Sequence, residues 1–223
     1  MVTATPVRLI PRWYTAVVVV MLVVLTGVFT GLALSVDGVM GWSAWGLVLF
    51  AGLLLLAALS ALARPRRVRE PGVSADGTRV FLAPMLTVAA LLGAWFAALA
   101  VAALWGLVAL TDFDALESPG FALVTIVGAL GSLPDLIRLL TGRLHRWRLE
   151  LGHETLRYRG YRTIETWSWS KVHGAQIQAR GPAGVAIDVK GAGKDPVVPI
   201  TAFAVPAEQL VEEIQRAKAA ARR

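Results

Sequence analysis

Four long apolar runs separated by short polar connectors fill the first 140 residues, and the period of the chain changes just beyond them. The runs cover about 13–34, 42–63, 84–110 and 121–140, and none carries a charge in its central stretch. Each reaches the ~20 residues that span a hydrocarbon core of ~30 Å, so the pattern predicts four transmembrane helices. The first run is longer than the ~7–15-residue core of a secretory leader and reads as a retained span. Ser132-Leu133-Pro134-Asp135 interrupts the fourth, where proline removes an intrahelical bond and predicts a kink or restart. Asp135 would cap the restarted turn or pair with Arg138.

From residue 142 onward the period shortens to two. In Arg146–Leu151 the side chains of Trp147, Leu149 and Leu151 fall on one face, with Arg146, Arg148 and Glu150 on the other. Leu156 and Tyr158 alternate with Arg157 and Arg159 beyond a Gly152-His153-Glu154 turn, which predicts an antiparallel hairpin. Further strands are expected at 163–167, 172–180, 185–190 and 197–200, separated by Gly- and Pro-rich turns. Pro206 then opens a helix whose apolar stripe is Leu210, Val211, Ile214 and Ala217. The expected architecture is a four-helix membrane bundle over 1–141, followed by a small antiparallel β domain over 142–223, closed by a C-terminal α-helix.

Charge orients this arrangement. The connector 64–79 holds five arginines, whereas 35–41 and 111–120 hold no basic residue. Basic loops stay on the cytoplasmic side, so both termini are expected there, in a multi-pass protein of a bacterial plasma membrane. The preference for arginine over lysine, with abundant Ala, Val and Gly, points to a GC-rich bacterial source. Trp13 and Tyr14 suit the inner interface, and Trp42 and Trp45 the outer one. Residues 1–140 carry a net charge of +1 and residues 141–223 a net +6, so the basic surface belongs to the C-terminal part. Such a surface beside a membrane points to anionic inner-leaflet lipids; no motif supports nucleic acid.

The chemistry-bearing residues are few. Absence of cysteine excludes disulfides and thiolate sites, and His145, His153 and His173 follow no metal-ligand spacing. The apolar runs offer only scattered hydroxyls (Thr26, Thr30, Ser43, Ser60, Thr87, Thr125), without the ionisable groups of a proton relay or ion path. No catalytic, metal or cofactor residues are expected, and the chain reads as a non-enzyme. In the third run Ala90, Ala94, Ala98, Ala102 and Gly106 recur every fourth residue, a small-residue ridge suited to helix packing or to a homo-oligomer. Trp167 and Trp169 share a strand face and are expected in the core.

The order of elements around Trp169-Ser170-Lys171-Val172, Ile200-Thr201-Ala202-Phe203 and Pro206-Ala207-Glu208-Gln209-Leu210 resembles bacterial pleckstrin-homology (PH) domain membrane proteins. The resemblance covers about 143–220 and implies a PH-like barrel, although five or six strands are visible where a full fold has seven. It implies docking rather than catalysis, with Arg146, Arg148, Arg157, Arg159 and Arg162 facing lipid or a cytoplasmic protein partner. Guanidinium forks suit phosphate oxygens, but the same arginines also serve as a general electrostatic face. Two alternatives stand beside this reading: a small transport or export component with a regulatory tail, and a cell-envelope assembly scaffold.

Overall fold

Three of the apolar runs form long helices, several of their hydroxyls turned back on the helix's own carbonyls. In the computed structural model these are α1 (Arg12–Ser35), α2 (Gly38–Ala58) and α3 (Met85–Thr111). The structure describes residues 11–63, 67–112, 118–131, 134, 137, 141, 146–160, 163–178, 183–191, 193, 195–199 and 201–222. All three helices are long and apolar enough to cross a membrane. Much of α1 is exposed apolar surface (Val17, Val20, Met21, Val24, Val28), which is suited to lipid rather than water. Trp13, Tyr14, Trp42 and Trp45 are exposed as well.

The fourth run differs. Its helix α4 (Pro119–Leu130) has 12 residues and rises about 18 Å, short of a ~30 Å core by itself. Beyond it Pro134 and Ile137 are helical, and the Thr141 amide donates to the Ile137 carbonyl at 2.9 Å. The rest of the expected interruption (Ser132, Leu133, Asp135) and Arg138 lie outside the described residues.

Helices α2 and α3 pack antiparallel along a run of close approaches. Ser60 and Thr87 share a buried hydroxyl–hydroxyl bond of 2.7 Å, and a Cβ on Gly93 would meet Leu53 Cδ1 at 3.1 Å. Near the other end a Cβ on Gly46 would overlap Val101. The buried side of α3 is Thr87, Ala90, Ala94, Ala97, Val101 and Trp105, a spacing of three and four that keeps one face inward. Strict steps of four drift off that face. Hence Ala90 and Ala94 are buried, while Ala98, Ala102 and Gly106 are half-buried. Past Ala58 the α2 chain loosens into a π-helical turn (Leu59–Ala63) that carries Ser60.

Among the described residues the second unit is built from eight strands and one helix. A five-stranded antiparallel sheet runs in the order β1 (Gly72–Val73), β2 (Arg79–Leu82), β3 (Arg148–Leu151), β4 (Thr155–Arg159) and β5 (Ile164–Ser168). A three-stranded antiparallel sheet follows from β6 (Val172–Gln178), β7 (Gly184–Val189) and β8 (Val197–Pro199). Helix α5 (Ala207–Ala220) packs on β6 and β7. One continuous core joins both sheets and the helix, with Phe81, Leu149, Leu156, Ile187, Val198, Phe203, Leu210 and Ile214 buried in it.

The first two strands were not foreseen. They come from the connector between α2 and α3, which reads as a basic loop, and β2 pairs with β3 from Arg79↔Leu151 to Leu82↔Arg148. Gly77, at φ +77°, makes the turn between them, and Asp76 braces it by accepting from the Thr78 amide (3.2 Å) and hydroxyl (2.8 Å). Accordingly the compact unit bearing the sheets takes in Ala61–Pro84 as well as Leu144–Arg223. It is not one contiguous stretch of sequence, unlike the expected domain over 142–223.

Candidate functional site

Alternation along the five-stranded sheet sorts its side chains. Phe81, Leu149, Leu151, Leu156 and Tyr158 point into the core, which sends Arg148, Glu150, Arg157 and Arg159 to the other face. Register then sets their neighbours. Arg148 lies directly opposite Arg159, and the row extends to Leu82 on one side and Ile164 on the other. The adjacent row is Val80, Glu150, Arg157 and Thr166.

Three arginines against one glutamate leave this face with a net charge of about +2. Glu150 partly offsets it, since Arg148 Nε lies 2.6 Å from Glu150 Oε1, although without hydrogen-bond alignment. Opposed like charges on paired strands are destabilising in water. The Nε groups of Arg148, Arg157 and Arg159 are shielded from solvent and make no hydrogen bond among the described residues. An anion that meets the outer part of the guanidinium forks relieves the opposition of like charges. Leu82 and Ile164, both about half exposed, flank the arginine pair with apolar surface.

The other expected contact residues fare differently. Arg146 precedes β3, and its Nε donates to the Ala83 carbonyl at 2.8 Å, with Nη2 bonded to the same oxygen. Its guanidinium therefore ties the start of β3 to the connector. Arg162 lies outside the described residues, as does His145. Trp169 is buried and donates through its indole nitrogen to the Gly152 carbonyl at 2.9 Å, while Trp167 packs at the core's edge. Among the described residues no group of three or more acidic or histidine side chains is placed to hold a metal.

Helix α5 grips the connector through polar residues that the apolar stripe does not reveal. Gln209 accepts from the Arg69 amide at 3.1 Å, and its own amide donates to the Arg69 carbonyl. One turn on, Glu213 receives Arg79 Nη1 on one oxygen and Arg216 Nη1 on the other, each at 2.5 Å. The Glu213 side chain is only 8% exposed, so its charge is matched by two cations nearer the solvent. Gln209 and Glu213 stand four apart beside Leu210 and Ile214, and that spacing of buried polar groups is the only sequence signal for the grip.

Two side chains described in this unit titrate away from their ordinary values. Burial, with a contribution from the Glu165 charge, pushes the Tyr158 phenol up to about 12 against the pull of a Trp147 hydrogen bond. The Thr78 hydroxyl and amide hold the Asp76 carboxyl below its usual range.

Comparison of the chain with protein-family models, with curated proteins and with solved structures gives no match.

Proposed function

We propose that this chain is a four-span, non-enzymatic integral membrane protein whose sheet-bearing domain docks on anionic lipid at the cytoplasmic face. The observation that carries the reading is the Arg148–Arg159 pair with Arg157 beside it, a net-positive cluster bordered by Leu82 and Ile164. Anionic headgroups complement the net positive charge of this face, and the apolar flanks suit the boundary just beneath them. The order of elements still resembles PH domain proteins, and the connector strands supply members that a reading of 142–223 lacks.

Strand pairing also supports the fourth crossing. β2 precedes α3 and β3 follows the fourth run, yet the two strands pair residue for residue. If α3 carries the chain across a bilayer, the segment between Thr111 and Arg146 must bring it back. The five connector arginines and the positive-inside tendency assign that shared side to the cytoplasm.

Magnitudes fit docking by a tethered domain. A net +2 is worth roughly 2 kcal/mol at an anionic surface, too weak to recruit a free protein. It suffices for a domain already attached to the membrane through its helices, because tethering makes the second contact intramolecular. The scaffold alternative loses ground, since Ala90 and Ala94 are already buried within the chain.

The chain lacks cysteine, so Ile164→Cys gives one labelling site for a polarity-sensitive dye. The full-length protein would be placed in nanodiscs of phosphatidylcholine with or without phosphatidylglycerol. Docking predicts a blue shift only with phosphatidylglycerol, reversed by salt and abolished by Arg157→Glu with Arg159→Glu. Identical emission in the two lipids would sink the proposal.

A further inference from the structure

A cleft of about 430 Å³ opens where the turn of the connector hairpin, the β3–β4 turn and the last turns of α5 converge. Its size falls within the ~300–1,000 Å³ of small-molecule sites. Arg79, Arg216 and His153 supply its polar lining, and Leu151, Ala217 and Ala220 its apolar lining. Gly77 closes one side, so near to His153 that a Cβ there would lie 3.3 Å from the ring's Nε2.

The two guanidiniums are held in place before any ligand arrives. Each commits one nitrogen to the shared Glu213 carboxylate, and the Arg79 and Arg216 side chains remain 41% and 59% exposed. A guanidinium has five N–H donors, so most of each fork is left for an oxyanion. One carboxylate against two cations leaves the lining net positive. Asp76, the nearby carboxylate on the connector turn, is occupied by Thr78. The partial negative charge at the C-terminal end of α5 opposes an anion weakly, against two full positive charges.

We propose that this cleft binds a small organophosphate, a phosphate monoester with a short aliphatic group, through Arg79 and Arg216. Phosphate oxygens span two guanidiniums, while Leu151, Ala217 and Ala220 receive the aliphatic portion. The site is separate from the lipid-docking face, because Arg79 and Leu151 are paired on the opposite side of the sheet from Arg148 and Arg159. A bound ligand would bridge the connector and the C-terminal helix.

Titration calorimetry on the full-length protein in neutral detergent tests this, with n-butyl phosphate, inorganic phosphate and n-butanol as probes. Butyl phosphate is expected to bind more tightly than inorganic phosphate, with no heat from butanol. Arg216→Gln should weaken butyl phosphate by about tenfold or more, and Arg216→Lys, which keeps the charge but not the fork, should weaken it less. Ala220→Leu should block the apolar part, whereas Arg157→Glu with Arg159→Glu should leave binding intact. Melting curves of each variant identify any that fails to fold, and the others then decide the matter. Equal affinity for inorganic and butyl phosphate would overturn the proposal, as would folded Arg216→Gln and Arg216→Lys variants that both bind like the parent.

Discussion

Glu213 Oε2 on the C-terminal helix lies 2.5 Å from Arg79 Nη1 on strand β2, although 134 residues separate them in sequence. The two partners are unequal, because the carboxylate is buried and the guanidinium is not. Removing Glu213 leaves Arg79 and Arg216 exposed enough for water to solvate them. Removing both arginines strands a carboxylate in the core's margin. Glu213→Met should therefore cost about 1 kcal/mol, and the double variant Arg79→Met, Arg216→Met about 3 kcal/mol or more. The midpoint of urea unfolding of the sheet domain, followed by proteolysis, gives the order; a reversed order refutes it.

Phe81 makes the connector part of the core, 5% exposed and packed edge-on to Phe203. Residues 143–223 expressed alone would lack Phe81 and leave β3 paired only with β4, its other edge open. That fragment should show little protease protection, whereas a chain in which residues 67–84 are joined to its start should regain it. In the full protein Phe81→Ala should destabilise the domain by about 3–5 kcal/mol.

Gly46 is where α2 admits α3 most closely. A Cβ there collides with the stiff, β-branched Val101, so Gly46→Ala should lower stability in detergent by about 1–3 kcal/mol. Val101→Ala should rescue it, since the smaller residue vacates the same space. Gly27, with nothing within 4 Å of its would-be Cβ, is the control that should not fall. Thermal unfolding of the four variants settles the case, and a missing rescue would count against the contact.

Tyr158 sets an alkaline limit. An unfolded tyrosine loses its proton near pH 10, whereas folded Tyr158 holds it to about 12. Between those values the unfolded chain binds fewer protons, so stability falls as pH rises; below pH 10 this contribution is fully present. Tyrosinate absorbance should show a late-titrating phenol that is lost in Tyr158→Phe. That variant's stability should also lose the corresponding slope.

How far the sequence could be read depended on the range of the interactions. Apolar runs need only their own residues, and α1, α2 and α3 lie close to where those runs place them. Arg148, Arg157 and Arg159 were visible for the same reason, since a two-residue period sorts a strand into faces locally. The connector hairpin was opaque because Arg79-Val80-Phe81-Leu82 is too short to display a period, and its partner β3 is remote. Gln209 and Glu213 lie outside the apolar stripe of the C-terminal helix, and only the arrival of Arg69 and Arg79 gives them a buried role.

The pairing of β2 with β3 bears on how the protein is made. During synthesis Phe81 emerges long before Leu149, its later neighbour in the core, with α3, long and apolar enough to cross a membrane, translated in between. Under the proposed four-span topology the sheet domain cannot close until the last apolar run has brought the chain back. In that topology a chain that threads wrongly would leave its two sets of strands in different compartments, each with raw apolar edges open to proteases. Completion of the sheet would then double as a record of correct insertion.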